Sequence, residues 1–227
     1  MKNDFKELGF ACVRAAMKVL DSASVKIIQF KGPTKNVQTE ADLEANEAIL
    51  KVLKESGRPF KIISEEGEPF VIGENPSIEV YIDPIDGSSY FILGNKRLCC
   101  TAIMFVENGK VFASFVGDLV TGDIYHCDET FAFLNGQKIS FSNEKKGEKY
   151  MVATYAIKGK WISGVMPKLT ELAQNKIFVF NNCGPLEQSL VSTGQFDASI
   201  DFLPINIWDF CVLAIEQKAG EIVTTTD

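Results

Sequence analysis

The spacing of apolar residues predicts two helices in the first part of the chain. Between residues 4 and 22 apolar side chains return every three or four positions, as on the buried face of an α-helix. Gly32-Pro33 interrupts this pattern, and Thr39-Glu40-Ala41-Asp42 then opens a second helix that runs to about Glu55. We therefore expect the fold to begin with a helical layer.

From Phe60 onwards the pattern changes to short apolar runs separated by turn residues, and the pair Asn108-Gly109 is typical of a hairpin. The predicted strands cover residues 61–63, 79–82, 101–107, 111–116, 123–127, 130–134 and 149–154. Beyond about residue 145 helices alternate with strands. Helices are predicted at 161–174, 185–193 and 208–219, and strands at 176–180, 196–201 and 221–225. The whole pattern indicates a layered α+β fold, with an antiparallel sheet followed by an α/β half.

Composition excludes several classes of partner. The net charge is −7, so the surface would repel nucleic acid phosphates. No apolar run approaches the roughly 18 residues that a membrane span needs. Charged residues interrupt the first 20 positions, which therefore lack the core of a signal peptide, and we expect a cytoplasmic protein without membrane partners.

Histidine and cysteine usage restricts the available chemistry further. The chain has six cysteines but no C-x-x-C pair, and His126 is its single histidine. A zinc site and a Ser-His-Asp or Cys-His mechanism are therefore improbable. The cysteines indicate buried thiols in a reducing compartment. Acid–base work in an enzyme of this composition falls to carboxylates, hydroxyls and bound metal ions.

Acidic residues recur where apolar segments end or begin. Glu65 and Glu66 follow the strand at 61–63, Asp83 and Asp86 follow the strand at 79–82, and Asp209 opens the last predicted helix. Each of them alone is often a helix cap or a solvated side chain. Together they indicate a site, because loops at the ends of strands converge on one crevice.

The segment Asp83-Pro84-Ile85-Asp86-Gly87-Ser88-Ser89 carries the strongest signal. Pro84 holds Asp83 in an extended conformation, and Gly87 lets the backbone approach a ligand closely. Ser88 and Ser89 would begin a helical turn whose free N–H groups suit an anion. One short segment thus offers oxygen ligands to a cation and donors to a phosphate.

Electrostatics favour bound cations at this segment. Two carboxylates about 4 Å apart repel by roughly 4 kcal/mol at an effective dielectric constant near 20. If Glu65, Asp83, Asp86 and Asp209 come together without cations, some of these carboxylates must take up protons. We therefore expect two or three Mg²⁺ ions, which can bridge a phosphate, activate water and stabilise a leaving alkoxide.

Four motifs give the chain a resemblance to the inositol monophosphatase superfamily. The motifs, in order, are Thr39-Glu40-Ala41-Asp42, Ser64-Glu65-Glu66, Asp83 to Ser88, and Trp208-Asp209 with Ala219-Gly220. This resemblance covers nearly the whole chain. It implies an αβαβα sandwich of the sugar-phosphatase type, formed by one phosphatase domain with subdomains of about 1–144 and 145–227.

The resemblance also implies a role for each motif residue. Glu65, Asp83 and the Ile85 carbonyl would hold a first Mg²⁺, and Asp83, Asp86 and Asp209 a second, with Glu65 near a weaker third ion. Ser88 would orient the attacking water through Asp42, and the N–H groups of Gly87, Ser88 and Ser89 would bind phosphate. Composition alone favours a capping-box role for Asp42, and its partnership with Ser88 rests on the resemblance. Glu66 is expected outside the metal ligands.

The chain departs from the family pattern at 181–186, where relatives carry an Arg-rich stretch and Gly-Ser-Ala. Gly184 in this segment and Asp201 further on are the expected substrate contacts. Lys158 and Lys160 are a possible substitute for the missing arginines, or else solvated surface residues. The chain also stops soon after Ala219-Gly220, and we expect a homodimer to cover the remaining sheet edge.

The expected activity is Mg²⁺-dependent hydrolysis of small phosphate monoesters, inositol 1-phosphate or related sugar phosphates above all. Fructose-1,6-bisphosphate and 3′(2′),5′-bisphosphate nucleotides are the alternative substrates, and lithium inhibition is expected by analogy. Two other classes remain open. A glycoside hydrolase would use two carboxylates but leaves the phosphate-ready Gly87-Ser88-Ser89 unexplained, and a regulatory protein would retain the fold without catalysis.

Overall fold

A computed structural model describes residues 3–22, 26–31, 36–141, 150–155, 162–175, 177–181, 184–201 and 206–224. The predicted N-terminal helices are present as α1 (Asn3–Leu20) and α2 (Glu40–Glu55). Between them lies an antiparallel hairpin of β1 (Ile27–Lys31) and β2 (Asn36–Thr39), which the apolar pattern did not predict.

The largest element is a sheet of eight strands in the order β10-β9-β8-β7-β6-β5-β3-β4. Its strands are β3 (Phe60–Ser64), β4 (Phe70–Ile72), β5 (Ile78–Asp86), β6 (Cys100–Glu107), β7 (Lys110–Asp118), β8 (Ile124–Cys127), β9 (Ala132–Leu134) and β10 (Gln137–Ile139). Neighbouring strands run antiparallel except for β3 and β5, which are parallel. The predicted antiparallel sheet is therefore a mixed sheet, because the chain crosses over between β3 and β5.

The C-terminal half has a parallel sheet of three strands in the order β12-β11-β13. It contains β11 (Tyr150–Tyr155), β12 (Ile177–Asn181) and β13 (Ala198–Asp201), with helices α4 (Ile162–Gln174), α5 (Pro185–Ser192) and α6 (Phe210–Ala219). The strand predicted at 221–225 is wrong over its described part. Residues 221–224 form no strand, and residue 225 lies outside the described residues.

The layers follow each other as helix, sheet, helix, sheet and helix. Helices α1 and α2 cover one face of the large sheet with a core that contains Phe5, Phe60 and Phe105. Helices α5 and α6 cover the other face around Cys100, Val116 and Ile215. Helix α5 also contacts β13, and α4 contacts β12. This order confirms the predicted layered fold. Among the described residues, no helix combines the length and apolarity needed to cross a membrane.

His126 is a packing residue of the large sheet. It is 2% exposed and its ring stacks on Phe115 and Phe133, with centroid distances of 5.5 and 4.8 Å. Its Nε2 atom is buried and has no hydrogen-bond partner. Burial lowers the pKa of His126 to about 4, with a smaller contribution from Lys6. The imidazole is therefore neutral inside the fold.

This burial predicts a loss of stability in acid. Histidine in the unfolded chain takes up a proton near pH 6.5, whereas His126 in the fold does so only near pH 4. The contribution of neutral His126 to the unfolding free energy is therefore fully present above pH 6.5 and is lost as the pH falls towards 4. We expect His126 to cost about 2 kcal/mol of unfolding free energy between pH 8 and pH 5. Urea unfolding of the wild type and of His126→Phe at both pH values measures it. Equal pH dependence in the two proteins contradicts this assignment.

Candidate active site

The two aspartates of the Asp83–Asp86 segment share one face of the sheet because β5 contains a bulge. Asp83 pairs with Ala102 and Asp86 pairs with Cys100, so three steps along β5 match two steps along β6. On a regular strand residues three apart face opposite sides, and the extra residue restores a common side. The Thr101 hydroxyl donates a 2.8 Å hydrogen bond to the Pro84 carbonyl and fixes the bulge.

Gly87 turns the chain from this strand end into α3 (Ser88–Ile92). Its φ of +85° is a left-handed conformation, and a Cβ atom there would lie 2.4 Å from the Leu98 carbonyl oxygen, so glycine is required. The first hydrogen bonds of the turn run from the N–H groups of Tyr90 and Phe91 to the Gly87 carbonyl. The N–H groups of Ser88 and Ser89 precede them and are suited to donate to an anion. The predicted helical turn is thus confirmed.

Two more carboxylates reach the same strand end from other elements. Glu65 follows β3, which is parallel to β5, and its N–H donates to the Ile82 carbonyl at 3.0 Å. Asp209 ends a 3₁₀ turn before α6 and accepts a 3.0 Å hydrogen bond from the Asn206 N–H. The buried Ser114 hydroxyl donates to the Cys211 carbonyl at 2.7 Å, which fastens the start of α6 to β7.

The pKa of Asp83 depends on how close these carboxylates lie to it. Asp83 is 4% exposed, and burial raises its pKa well above the usual range. The negative charges of Glu65, Asp86 and Asp209, and a hydrogen bond with Glu65, raise the pKa further. Glu65, Asp86 and Asp209 therefore all lie within electrostatic reach of Asp83.

The donor set suits a hard divalent cation, although it is not a closed cage. Its ligands are carboxylate oxygens, the type that Mg²⁺ and Ca²⁺ prefer. A cation would also counter the burial and the neighbouring negative charges that raise the pKa of Asp83. In the part of the chain that is described, no three His, Cys, Asp or Glu side chains already stand at metal-binding spacing. Binding would therefore draw the carboxylates together.

Asp42 combines the two roles that the sequence left open. Its Oδ2 atom accepts hydrogen bonds from the N–H and hydroxyl of Thr39 at 2.7 and 2.6 Å, which completes a capping box at α2. Its Oδ1 atom accepts a 2.9 Å hydrogen bond from the Ser88 hydroxyl. Asp42 is 1% exposed, and burial raises its pKa although these hydrogen bonds oppose the shift. The charge of Glu66, which accepts a hydrogen bond from Gln38, raises it as well.

Gly184 lies at the site, whereas Asp201 is linked to the C-terminal helices. A Cβ atom on Gly184 would be 2.5 Å from Asp86 Oδ2. Asp201 accepts a 2.6 Å hydrogen bond from Gln188, its charge acts on Glu216, and burial raises its pKa to about 6. Residues 182–183, Lys158 and Lys160 lie outside the described residues.

Sequence reasoning missed several residues around the carboxylates. Glu187 of α5 is buried and accepts a 2.9 Å hydrogen bond from the Gly184 N–H. Its position three residues after Gly184 is that of the acidic member of a capping box, and this half of the motif was visible in the sequence. Cys99 donates to the Gly87 carbonyl at 3.3 Å, and Cys100 Sγ lies 4.0 Å from Asp86 Oδ2. Burial raises the pKa of both thiols, so they line the site in neutral form.

Comparison with known proteins defines the class. Residues 2–227 match the profile of the inositol monophosphatase family, and the fold agrees with solved members. The chain therefore belongs to the inositol monophosphatase family and is a phosphatase by that membership. Members of this family are generally metal-dependent.

Individual relatives support this assignment. The chain is 29% identical over 209 residues to a fructose-1,6-bisphosphatase/inositol-1-monophosphatase of Methanothermobacter thermautotrophicus, covering 85% of this chain and 71% of that relative. It is 26% identical over 209 residues to an inositol monophosphatase of Dictyostelium discoideum, covering 87% and 75%. Among solved structures, an IMPase of Thermotoga maritima is 25% identical with a TM-score of 0.78, covering 96% of this chain and 84% of that one.

The repulsion at Asp83 predicts a cation-dependent stability. The folded protein holds the Asp83 proton more tightly than the unfolded chain does, because the pKa of Asp83 is raised in the fold. The stability that this gives is present below the pKa of an unfolded aspartate and is lost as the pH rises towards the pKa in the fold. Without cations, the ionisation of Asp83 therefore destabilises the fold at neutral pH. We expect Asp83→Asn to melt at least about 3 °C above the wild type in a chelator. Millimolar Mg²⁺ should raise the wild-type melting temperature and close this gap.

Thermal unfolding with and without Mg²⁺ measures both effects. Glu47→Gln, which changes an exposed acid on α2, is the control and should follow the wild type. A wild type that gains nothing from Mg²⁺, or an Asp83→Asn variant less stable than the wild type in the chelator, contradicts the repulsion argument.

Proposed function

We propose that this protein hydrolyses phosphate monoesters with the help of Mg²⁺, and that inositol 1-phosphate represents its substrate class. The observation that carries the proposal is the convergence of Glu65, Asp83, Asp86 and Asp209 beside the open N-terminal end of α3. Carboxylates attract cations and free N–H groups attract a phosphate, so the two ligands of this reaction have adjacent places. The names of the relatives support the same reaction class.

Particular residues are assigned to two or three Mg²⁺ ions. Glu65, Asp83 and the Ile85 carbonyl would hold one ion, and Asp83, Asp86 and Asp209 would hold another. A third would lie near Glu65. When bound, such ions neutralise the carboxylates, polarise phosphate oxygens and lower the pKa of water.

The chain's own residues orient the substrate and move a proton. The Ser88 and Ser89 N–H groups hold the phosphate in line with the attacking water. The Ser88 hydroxyl lies 2.9 Å from both Asp42 Oδ1 and the Ile85 carbonyl oxygen. In the proposed proton path it donates its hydrogen to Asp42, and its oxygen accepts a hydrogen bond from the attacking water. The raised pKa of Asp42 suits a group that takes up a proton. The water oxygen bonds to phosphorus as the water gives up a proton towards Asp42, the ester P–O bond breaks, and the leaving alkoxide takes up one proton, so that water is divided between the phosphate and the alcohol.

Fructose-1,6-bisphosphate is the second candidate substrate, because the relative from Methanothermobacter carries both activities in its name. A 3′(2′),5′-bisphosphate nucleotide remains a third. A binding protein without turnover is the alternative outside catalysis. A kinetic panel of the three phosphate esters with Mg²⁺ separates all four cases.

Removing one carboxylate tests the metal assignment. Asp86→Asn keeps the size of the side chain and removes its charge, so we expect kcat/KM for inositol 1-phosphate to fall at least about 100-fold and the Mg²⁺ requirement to rise. Phosphate release over a Mg²⁺ titration measures both, and Glu47→Gln should match the wild type. Activity in the chelator, or equal activity of Asp86→Asn and the wild type, would sink the proposal.

Removing the Ser88 hydroxyl tests the proton path. The hydrogen bond from Ser88 lowers the pKa of Asp42, so its loss should raise that pKa further. We expect Ser88→Ala to reduce kcat about 10- to 100-fold and to move the acidic limb of the pH–kcat profile to higher pH. Ser88→Thr keeps the hydroxyl and should restore both. A lower kcat with an unmoved profile would assign Ser88 a purely structural role.

A further inference from the structure

Glu187 is a fifth carboxylate beside the site, and none of the family motifs contains it. It lies in the first turn of α5 and is 5% exposed. Its Oε2 atom accepts the 2.9 Å hydrogen bond from the Gly184 N–H. An acid that caps a helix is ordinary on a surface, where water solvates the charge. Here the carboxyl is buried near Asp86, and burial raises the pKa of Glu187 although the Gly184 hydrogen bond opposes the shift, so its ionised form is costly unless the site gains from it.

Gly184 connects Glu187 to the carboxylates of the site. The position that a Cβ atom of Gly184 would take is 2.5 Å from Asp86 Oδ2 and 3.7 Å from Glu187 Oε2. Both carboxylate oxygens therefore border the same small volume. The negative charge of Glu187 also raises the pKa of Cys99 and Cys100, which line the site from β6. Glu187 thus acts electrostatically across the site and not only on its own helix.

The helix ends at this site differ in character. At α3, the Ser88 and Ser89 N–H groups precede the first helical hydrogen bonds, and the first turn contains no acid. At α5, the Gly184 N–H is already bound by Glu187, and a negative charge offsets the positive end of the helix dipole. The start of α5 is therefore less suited to an anion than the start of α3.

We propose that Glu187 determines specificity by restricting the site to esters that carry a single phosphate. The reacting phosphate occupies the end of α3. A second phosphate on the same substrate, where it extends past Asp86 towards Gly184, meets the charge of Glu187. The inference rests on the phosphatase function proposed above and narrows its substrate class, because it ranks monophosphates above fructose-1,6-bisphosphate.

One substitution separates this role from helix capping. Glu187→Gln keeps the length of the side chain and an oxygen that can accept from the Gly184 N–H, but it removes the charge. Glu216→Gln is the control for removing a buried acid of another helix, since Glu216 is a 3% exposed acid of α6 that accepts a 3.3 Å hydrogen bond from Ser199, and burial raises its pKa to about 8. If capping were the only role, Glu187→Gln would behave like this control.

The experiment compares kcat/KM for fructose-1,6-bisphosphate with kcat/KM for inositol 1-phosphate in the wild type and both variants, with Mg²⁺ at about pH 9, above the raised pKa of Glu216. We expect Glu187→Gln to raise the bisphosphate-to-monophosphate ratio at least about fivefold, mainly through KM of the bisphosphate. High salt should shrink the difference, because it screens the repulsion. The ratio of Glu216→Gln should stay at the wild-type value.

Three results would overturn the inference: an unchanged ratio in Glu187→Gln, an equal rise in Glu216→Gln, or a wild type that already prefers the bisphosphate. Calorimetric binding of the two esters in Ca²⁺ gives a readout that does not need turnover. Tighter bisphosphate binding by Glu187→Gln without hydrolysis by any protein would retain the inference and remove the proposed catalysis. If the proteins hydrolyse the monophosphate but Glu187→Gln changes neither the kcat/KM ratio nor the binding of the bisphosphate, the proposed catalysis stands and the role of Glu187 is refuted.

Discussion

Asp83 is 4% exposed and lies within reach of three other carboxylates, so negative charges repel one another where water is largely excluded. Two such charges about 4 Å apart repel by roughly 4 kcal/mol at an effective dielectric constant near 20. The surrounding fold must hold these groups together against that repulsion. A bound divalent cation reverses the balance, because it turns the same closeness into attraction. On our proposal, stability and catalysis therefore depend on the same ion.

Local features of several different strands and helices position the carboxylates. The bulge in β5 brings Asp83 and Asp86 to one face, and the parallel crossover brings the end of β3 to the end of β5. The Ser114 hydroxyl fastens α6, and with it the segment of Asp209, to the central sheet. The capping box of α2 points the second oxygen of Asp42 at Ser88. The site is thus assembled by the packing of the layers, and its chemistry follows from their order.

Much of this site was predictable because its signals are local. Pro84 and Gly87 constrain the backbone wherever they occur, and the helical turn after Gly87 is present as expected. The bulge in β5 was not predictable, since it depends on which residues of β6 stand opposite. The closeness of Glu187 to Asp86 depends likewise on how α5 docks. The strand predicted at 221–225 shows the converse error. Ile222 lies in a strand-like sequence context, but its side chain is 91% exposed, and residues 221–224 pair with no strand of the described structure.

On our proposal, the four carboxylates form a site for divalent cations. The most direct measurement is anomalous diffraction at the manganese edge from crystals grown with Mn²⁺ in place of Mg²⁺. We expect at least two anomalous peaks within about 2.5 Å of carboxylate oxygens, one of them shared by Asp83, Asp86 and Asp209. A map with no peak among these side chains, at Mn²⁺ concentrations that support phosphate release, would contradict it.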